Sequence, residues 1–99
     1  MSAQAAQVFR AAYRILEVPG VWAQGFQEAS KRGRSCLVFA VGTALRRRRA
    51  NWSRERSTFA VLRKLSGSSS PASWNDTHTL PEVLSLLERA ALAAESEAG

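Results

Sequence analysis

Chemically reactive side chains are scarce: the 99 residues include one cysteine, Cys36, and one histidine, His78. A lone cysteine makes no internal disulfide, which excludes a disulfide scaffold. Cys36 lies in an apolar run and reads as a buried thiol that packs like a small hydrophobe. His78 stands in a polar stretch, two residues after Asp76, and reads as a solvated side chain. With scattered serines, these residues compose neither a catalytic triad nor a metal centre. No glycine-rich phosphate loop leads into a helix, because Gly25, Gly33 and Gly42 are dispersed. Gly33 and Gly42 are expected inside a helix, where each costs about 1 kcal/mol relative to alanine and signals close packing or room for a slender ligand. The expectation is a protein that binds and is not an enzyme.

Long hydrophobic runs are also missing. The longest, Cys36 to Leu45, is well short of the ~18 residues of a membrane span, and four arginines end it. No secretory h-region is visible. The first sixteen residues hold Arg10 and Arg14 and no acid. That suits a mitochondrial import signal and equally any amphipathic helix.

Negative charge is sparse where positive charge is dense. Residues 1–67 carry thirteen of the fourteen Lys/Arg against only Glu17, Glu28 and Glu55, whereas residues 68–99 carry Arg89 against five acids. A basic body with an acidic tail points to nucleic acid, an anionic membrane surface or an acidic protein as partner. Arginine outnumbers lysine twelve to two, which favours forked contacts to carboxylate or phosphate.

What is present is helical periodicity. Val8, Ala12, Ile15 and Leu16 form one apolar stripe, which predicts a helix over 3–18 ended by Pro19-Gly20. A second helix is expected from between Trp22 and Gln27 to about Arg49, apolar all round at Val38, Phe39 and Val41 and therefore buried on more than one side. Asn51 or Ser53 caps a third helix bearing Phe59, Leu62 and Leu65, which stops at Ser66-Gly67. Ser68 to Thr79 reads as a polar linker, with Trp74 expected to lie against a surface. Thr79-Leu80-Pro81-Glu82 is a capping box for a last helix carrying Val83, Leu84, Leu87, Ala90, Ala91 and Ala94. The predicted fold is all-α: a three-helix antiparallel bundle (1–67), a polar linker (68–79) and an additional acidic C-terminal helix (80–97).

Two features point to a function. Arg46-Arg47-Arg48-Arg49 follow the apolar run, with Arg54 and Arg56 just beyond and Trp52 between them. This reads as an anion-binding patch or as a solvated helix end, and the interleaved aromatic also fits an RNA-binding surface. The second feature is the opening, Gln7-Val8-Phe9-Arg10-Ala11-Ala12-Tyr13-Arg14-Ile15-Leu16. Over about residues 5–66 the chain resembles the LYR-motif proteins of mitochondria, which are small basic three-helix domains. The motif's leucine is replaced by Ala12, and a Phe-Arg pair typical of the family corresponds to Leu45-Arg46.

The resemblance implies a non-catalytic accessory subunit or assembly factor of a respiratory-chain complex, in the mitochondrial matrix or on the matrix side of the inner membrane. It implies an acidic partner, the mitochondrial acyl carrier protein, docked on Arg10, Tyr13, Arg14, Arg46, Arg47, Arg48 and Arg49. No cofactor of the chain's own is implied. The partner's acyl-phosphopantetheine would enter between helices lined by Gly33, Leu37, Ala40, Val41 and Ala44, with Gly42 adding space. The alternatives are a small basic RNA-binding or ribosomal protein, and a membrane-surface adaptor using Cys36–Leu45.

Overall fold

The apolar stripe of the first helix is wider than one neighbour requires. In the computed structural model, which describes residues 3–98, α1 (Ala3–Glu17) buries Ala5, Ala6, Val8, Phe9, Ala12 and Leu16. Its most extensive contact is with the last helix, α6 (Leu80–Ala98), and the next is with α3 (Leu37–Arg47). Alanines on both sides, Ala5, Ala6 and Ala12 against Ala90, Ala91 and Ala94, let two helices approach closely. Val83, Leu86 and Leu87 of α6 are fully buried in the same cluster. The remaining helices are α2 (Phe26–Ala29), α4 (Trp52–Ser66) and α5 (Pro71–Asp76). Among the described residues there are six helices and no strand, only an isolated parallel bridge between Trp22 and Ser35. The chain is all-α.

The arrangement departs from a three-helix bundle with an appended helix. The acidic helix is the main partner of α1 and part of the single large core. Its capping box forms as read from the sequence. Glu82 accepts from the Thr79 backbone N–H at 2.8 Å, and the Glu82 N–H donates to Thr79 Oγ1 at 3.4 Å. These bonds to the Thr79 backbone and hydroxyl hold the Glu82 carboxyl below its ordinary value of 4.5.

The expected second helix is split into α2 and α3. Gly33 adopts φ +78°, and Cys36 is extended at φ −108°, ψ −179°. Between the two helices the backbone pairs elsewhere: Ser35 N donates to Val21 O and Ala23 N to Ser35 O, both at 2.8 Å. Gly33 is therefore a loop residue and not a helical one. Cys36 instead starts α3, its Sγ accepting from the Phe39 N–H at 3.4 Å. The all-round apolar character of α3 has an internal explanation. One side meets α1, and the other, through Val38 and Phe39, packs on Ala23, Ala29 and Cys36.

The expected polar linker also carries structure. Ser70 caps α5 by accepting from the Ser73 N–H, and Pro71 occupies its first turn. This places Asn75, fully buried, against the 21–36 segment. Its Oδ1 accepts from Trp22 Nε1 at 2.8 Å and from the Leu37 N–H at 3.1 Å, and its Nδ2 donates to Ala23 O at 3.1 Å. Asp76 accepts from the Gly25 N–H at 2.7 Å, and Gln24 donates to His78 O at 2.8 Å. Trp74 stacks on His78 at 3.9 Å, and His78 Nδ1 donates to Trp74 O at 2.7 Å.

Asn75→Ala leaves two donors and one carbonyl without their partner. It is expected to destabilise the protein by about 3 kcal/mol or more in chemical denaturation. The Leu37 amide should lose hydrogen-exchange protection first. The sign at Glu82 is also fixed. A carboxyl lowered by folding stabilises above its unfolded value and ceases to do so as pH falls through its folded value. Stability measured from pH 6 downwards should decline from about pH 4.5, and Glu82→Gln should flatten that part of the curve.

Candidate functional site

Basic residues of loop 30–35 and of the last turn of α3 converge on one groove. It is lined by the half-buried apolar side chains of Ile15 of α1, Val21 and Phe39, by the exposed cations Lys31, Arg34, Arg46 and Arg47, and by the hydroxyls of Ser30, Ser35 and Thr43. The hollow has a volume of about 550 Å³. Loop geometry sets the first two cations: Arg34 Nη2 donates to Trp22 O at 3.2 Å, so its guanidinium is fixed by the strand-like pairing beneath it. Lys31 pairs with Glu28 at 2.8 Å. That hydrogen bond, with the charges of Lys31 and then Arg34, lowers the Glu28 carboxyl. Arg46 folds back along α3, its Nη2 donating to Thr43 Oγ1 at 3.1 Å. A Cβ on Gly42 would meet the same guanidinium at 3.3 Å, so Gly42 gives Arg46 its seat. Phe26, 75% exposed, meets Phe39 edge-to-face at 5.9 Å.

The other expected site residues lie around two further hollows. Arg10, Tyr13 and Arg14 line one of about 280 Å³ together with Glu17, Leu87, Glu88 and Leu92. Arg10 is ion-paired with Glu95. Carboxylates of α6 and of α1 itself thus offset the arginines of α1 there. Arg48 and Arg49 line a recess of about 400 Å³ with Gln4, Gln7, Val8, Ala50, Asn51 and Arg54. The structure therefore distributes these arginines over three hollows. Among the described residues, no carboxylate pairs with Arg46, Arg47, Arg48 or Arg49. Trp52 is 70% exposed, and the Arg56 guanidinium lies 4.8 Å from its ring centroid.

The residues expected to line an acyl-chain space are packed differently. Leu37, Ala40, Val41 and Ala44 are fully buried among Val8, Phe9, Ala12 and the α6 leucines. Gly33 sits on the groove at the surface, well outside any helix. Small side chains on α3 here serve close packing against α1. No cluster of three or more His, Cys, Asp or Glu able to hold a metal occurs among the described residues. Among those residues, no helix is long and apolar enough to cross a membrane.

A family model matches residues 1–93, under the description "Family of unknown function (DUF6197)". The chain belongs to this family. The match takes in α1 to α5, most of α6, all three hollows and the Asn75 hydrogen bonds, whereas Glu95, the partner of Arg10, falls outside it. No curated protein and no solved structure matches the chain.

Sequence reasoning passed over Asn75, Arg34 and Lys31. Ser70-Pro71 was a legible helix start, a capping residue followed by proline, and would have placed Asn75 on a helix. Lys31 and Arg34 gain their meaning only from the loop geometry. Arg49 was expected at the site as part of the arginine run, but not for its backbone. It adopts φ +51°, the left-handed region, at the end of α3. At the equivalent position after α4 the chain uses Gly67, φ +71°. Arg49→Gly is expected to raise stability by about 0.5–1 kcal/mol by relieving the Cβ crowding, read as a higher denaturation midpoint.

Proposed function

We propose that the protein is a non-catalytic docking module that holds an acidic, amphipathic segment of a partner protein in the groove of Lys31, Arg34, Phe39, Arg46 and Arg47. The observation that carries this reading is one groove that joins half-buried apolar side chains, Ile15, Val21 and Phe39, to exposed cations. A helix with one apolar stripe and acidic flanks satisfies both parts, the helix-in-groove mode of recognition. A phosphate backbone would use the cations and leave Ile15, Val21 and Phe39 unmet. Phe26, against Phe39, adds an exposed aromatic anchor. The cations accelerate association and make it salt-sensitive.

The acyl carrier protein, an acidic helical protein, is the candidate partner under the LYR resemblance, and a mitochondrial accessory or assembly role goes with it. What supports that candidate is the complementarity of charge and the Tyr13-Arg14 pair. Burial of Leu37, Ala40, Val41 and Ala44 favours docking of the carrier's surface over entry of its acyl chain.

The test is titration of the full-length protein with purified acyl carrier protein, unacylated and acylated, across a salt series. Binding that weakens with salt and falls roughly tenfold or more in Arg46→Glu/Arg47→Glu supports the reading. A reversal on the outer side of α4, Arg63→Glu/Lys64→Glu, should change it little. No binding at low salt overturns the carrier protein as partner. An RNA oligonucleotide held through Arg46 and Arg47, with no affinity for acidic helical proteins, overturns the docking reading itself.

A further inference from the structure

The recess lined by Arg48, Arg49 and Arg54 is separate from the docking groove and has a different composition. Three guanidinium-bearing residues share it with the amide side chains of Gln4, Gln7 and Asn51 and with Val8 and Ala50, and among the described residues no carboxylate lines it. Its volume of about 400 Å³ falls within the ~300–1,000 Å³ of small-molecule sites and exceeds what a bare oxyanion fills. It opens beside the first turns of α1, where no acidic residue stands, so the positive end of that helix adds to the arginines.

The turn that brings Arg49 to the recess is closed by backbone bonds. Arg49 N donates to Arg46 O and Ala50 N to Leu45 O, both at 3.0 Å. This helix ending is normally made with glycine in the left-handed position, as the chain itself does at Gly67. Here the same position holds an arginine, in a conformation that L side chains rarely adopt. The helix ending itself does not need a guanidinium there.

We propose that this recess binds a phosphate monoester of mononucleotide size. Arg48 and Arg49 would hold the phosphoryl oxygens in forked, charge-assisted hydrogen bonds. The amides of Gln4 and Gln7 would meet the polar edges of the base or sugar, and the half-buried Ala50 would meet its apolar part. Free nucleotide and the 5′-phosphate end of a nucleic-acid strand present the same chemistry.

Calorimetric titration of the full-length protein with AMP, adenosine and a short oligonucleotide, with and without a 5′-phosphate, tests the proposal. Binding of AMP with at least roughly tenfold preference over adenosine is expected. An oligonucleotide that competes with AMP only when 5′-phosphorylated identifies the strand end as a source. AMP bound and no oligonucleotide bound identifies the free nucleotide. Arg49→Gly keeps the fold and its turn, so it should weaken AMP binding roughly tenfold while the denaturation midpoint holds or rises. Arg46→Glu/Arg47→Glu, which disables the docking groove, should leave AMP binding in place, so the two readings fail separately. Equal affinity for adenosine and AMP, no AMP binding at millimolar concentration and low salt, or unchanged binding in Arg49→Gly overturns the proposal.

Discussion

The side chain of Asn75 is the contact on which the arrangement of the middle of the molecule depends. Nothing else among its neighbours joins α5, the start of α3 and the 21–23 segment through a single group. Trp22, Ala23 and Leu37 present buried polar groups with no helical partner. One amide satisfies them all because it offers an acceptor and two donors on one small planar group. Removing water from that point is what makes the bonds strong and their loss severe. The loop carrying Lys31 and Arg34 hangs from this attachment, so that side of the groove inherits its geometry from a buried asparagine that never touches it.

Charge follows a similar logic. The acidic face of α6 lies along the basic face of α1, and Arg10 and Glu95 meet there. An exposed pair of this kind adds little stability, about 0–1 kcal/mol. Its larger effect is on the field outside the molecule. Arginines on α1 are offset, whereas among the described residues those at the end of α3 are not, so unpaired positive charge is concentrated there. Steering of an anionic partner depends on that concentration more than on the total.

The helices that the sequence marked chemically were legible. Pro19-Gly20 ends α1 within one residue of the expected place, Asn51 caps α4 by accepting from the Arg54 N–H at 2.9 Å, Gly67 ends it, and Thr79 and Glu82 open α6. Each of these is a local matter of side chains satisfying nearby backbone groups. What was not legible is non-local. Helical spacing runs unbroken from Phe26 to Leu45, and the turn at Gly33 and the pairing of Ser35 with Val21 and Ala23 interrupt it. The polar composition of 68–79 hid a helix whose one essential residue is itself polar. For the site, the arginine run stood out in the sequence as dense positive charge, and among the described residues no carboxylate pairs with it. Its division between a groove and a recess depends on the turn at Arg49, which no pattern announces.

The contact between α1 and α6 also orders events during synthesis. All of the chain from Val18 to Thr79 is made before α6 exists, so the apolar stripe of α1 spends that time without its principal cover. Closing so long a loop is entropically slow, and the stripe is exposed surface until it closes. Partly made chains therefore present Val8, Phe9 and Leu16 to chaperones or to one another. The groove, whose lining includes Ile15 of the same helix, is completed by the arrival of a helix that does not line it.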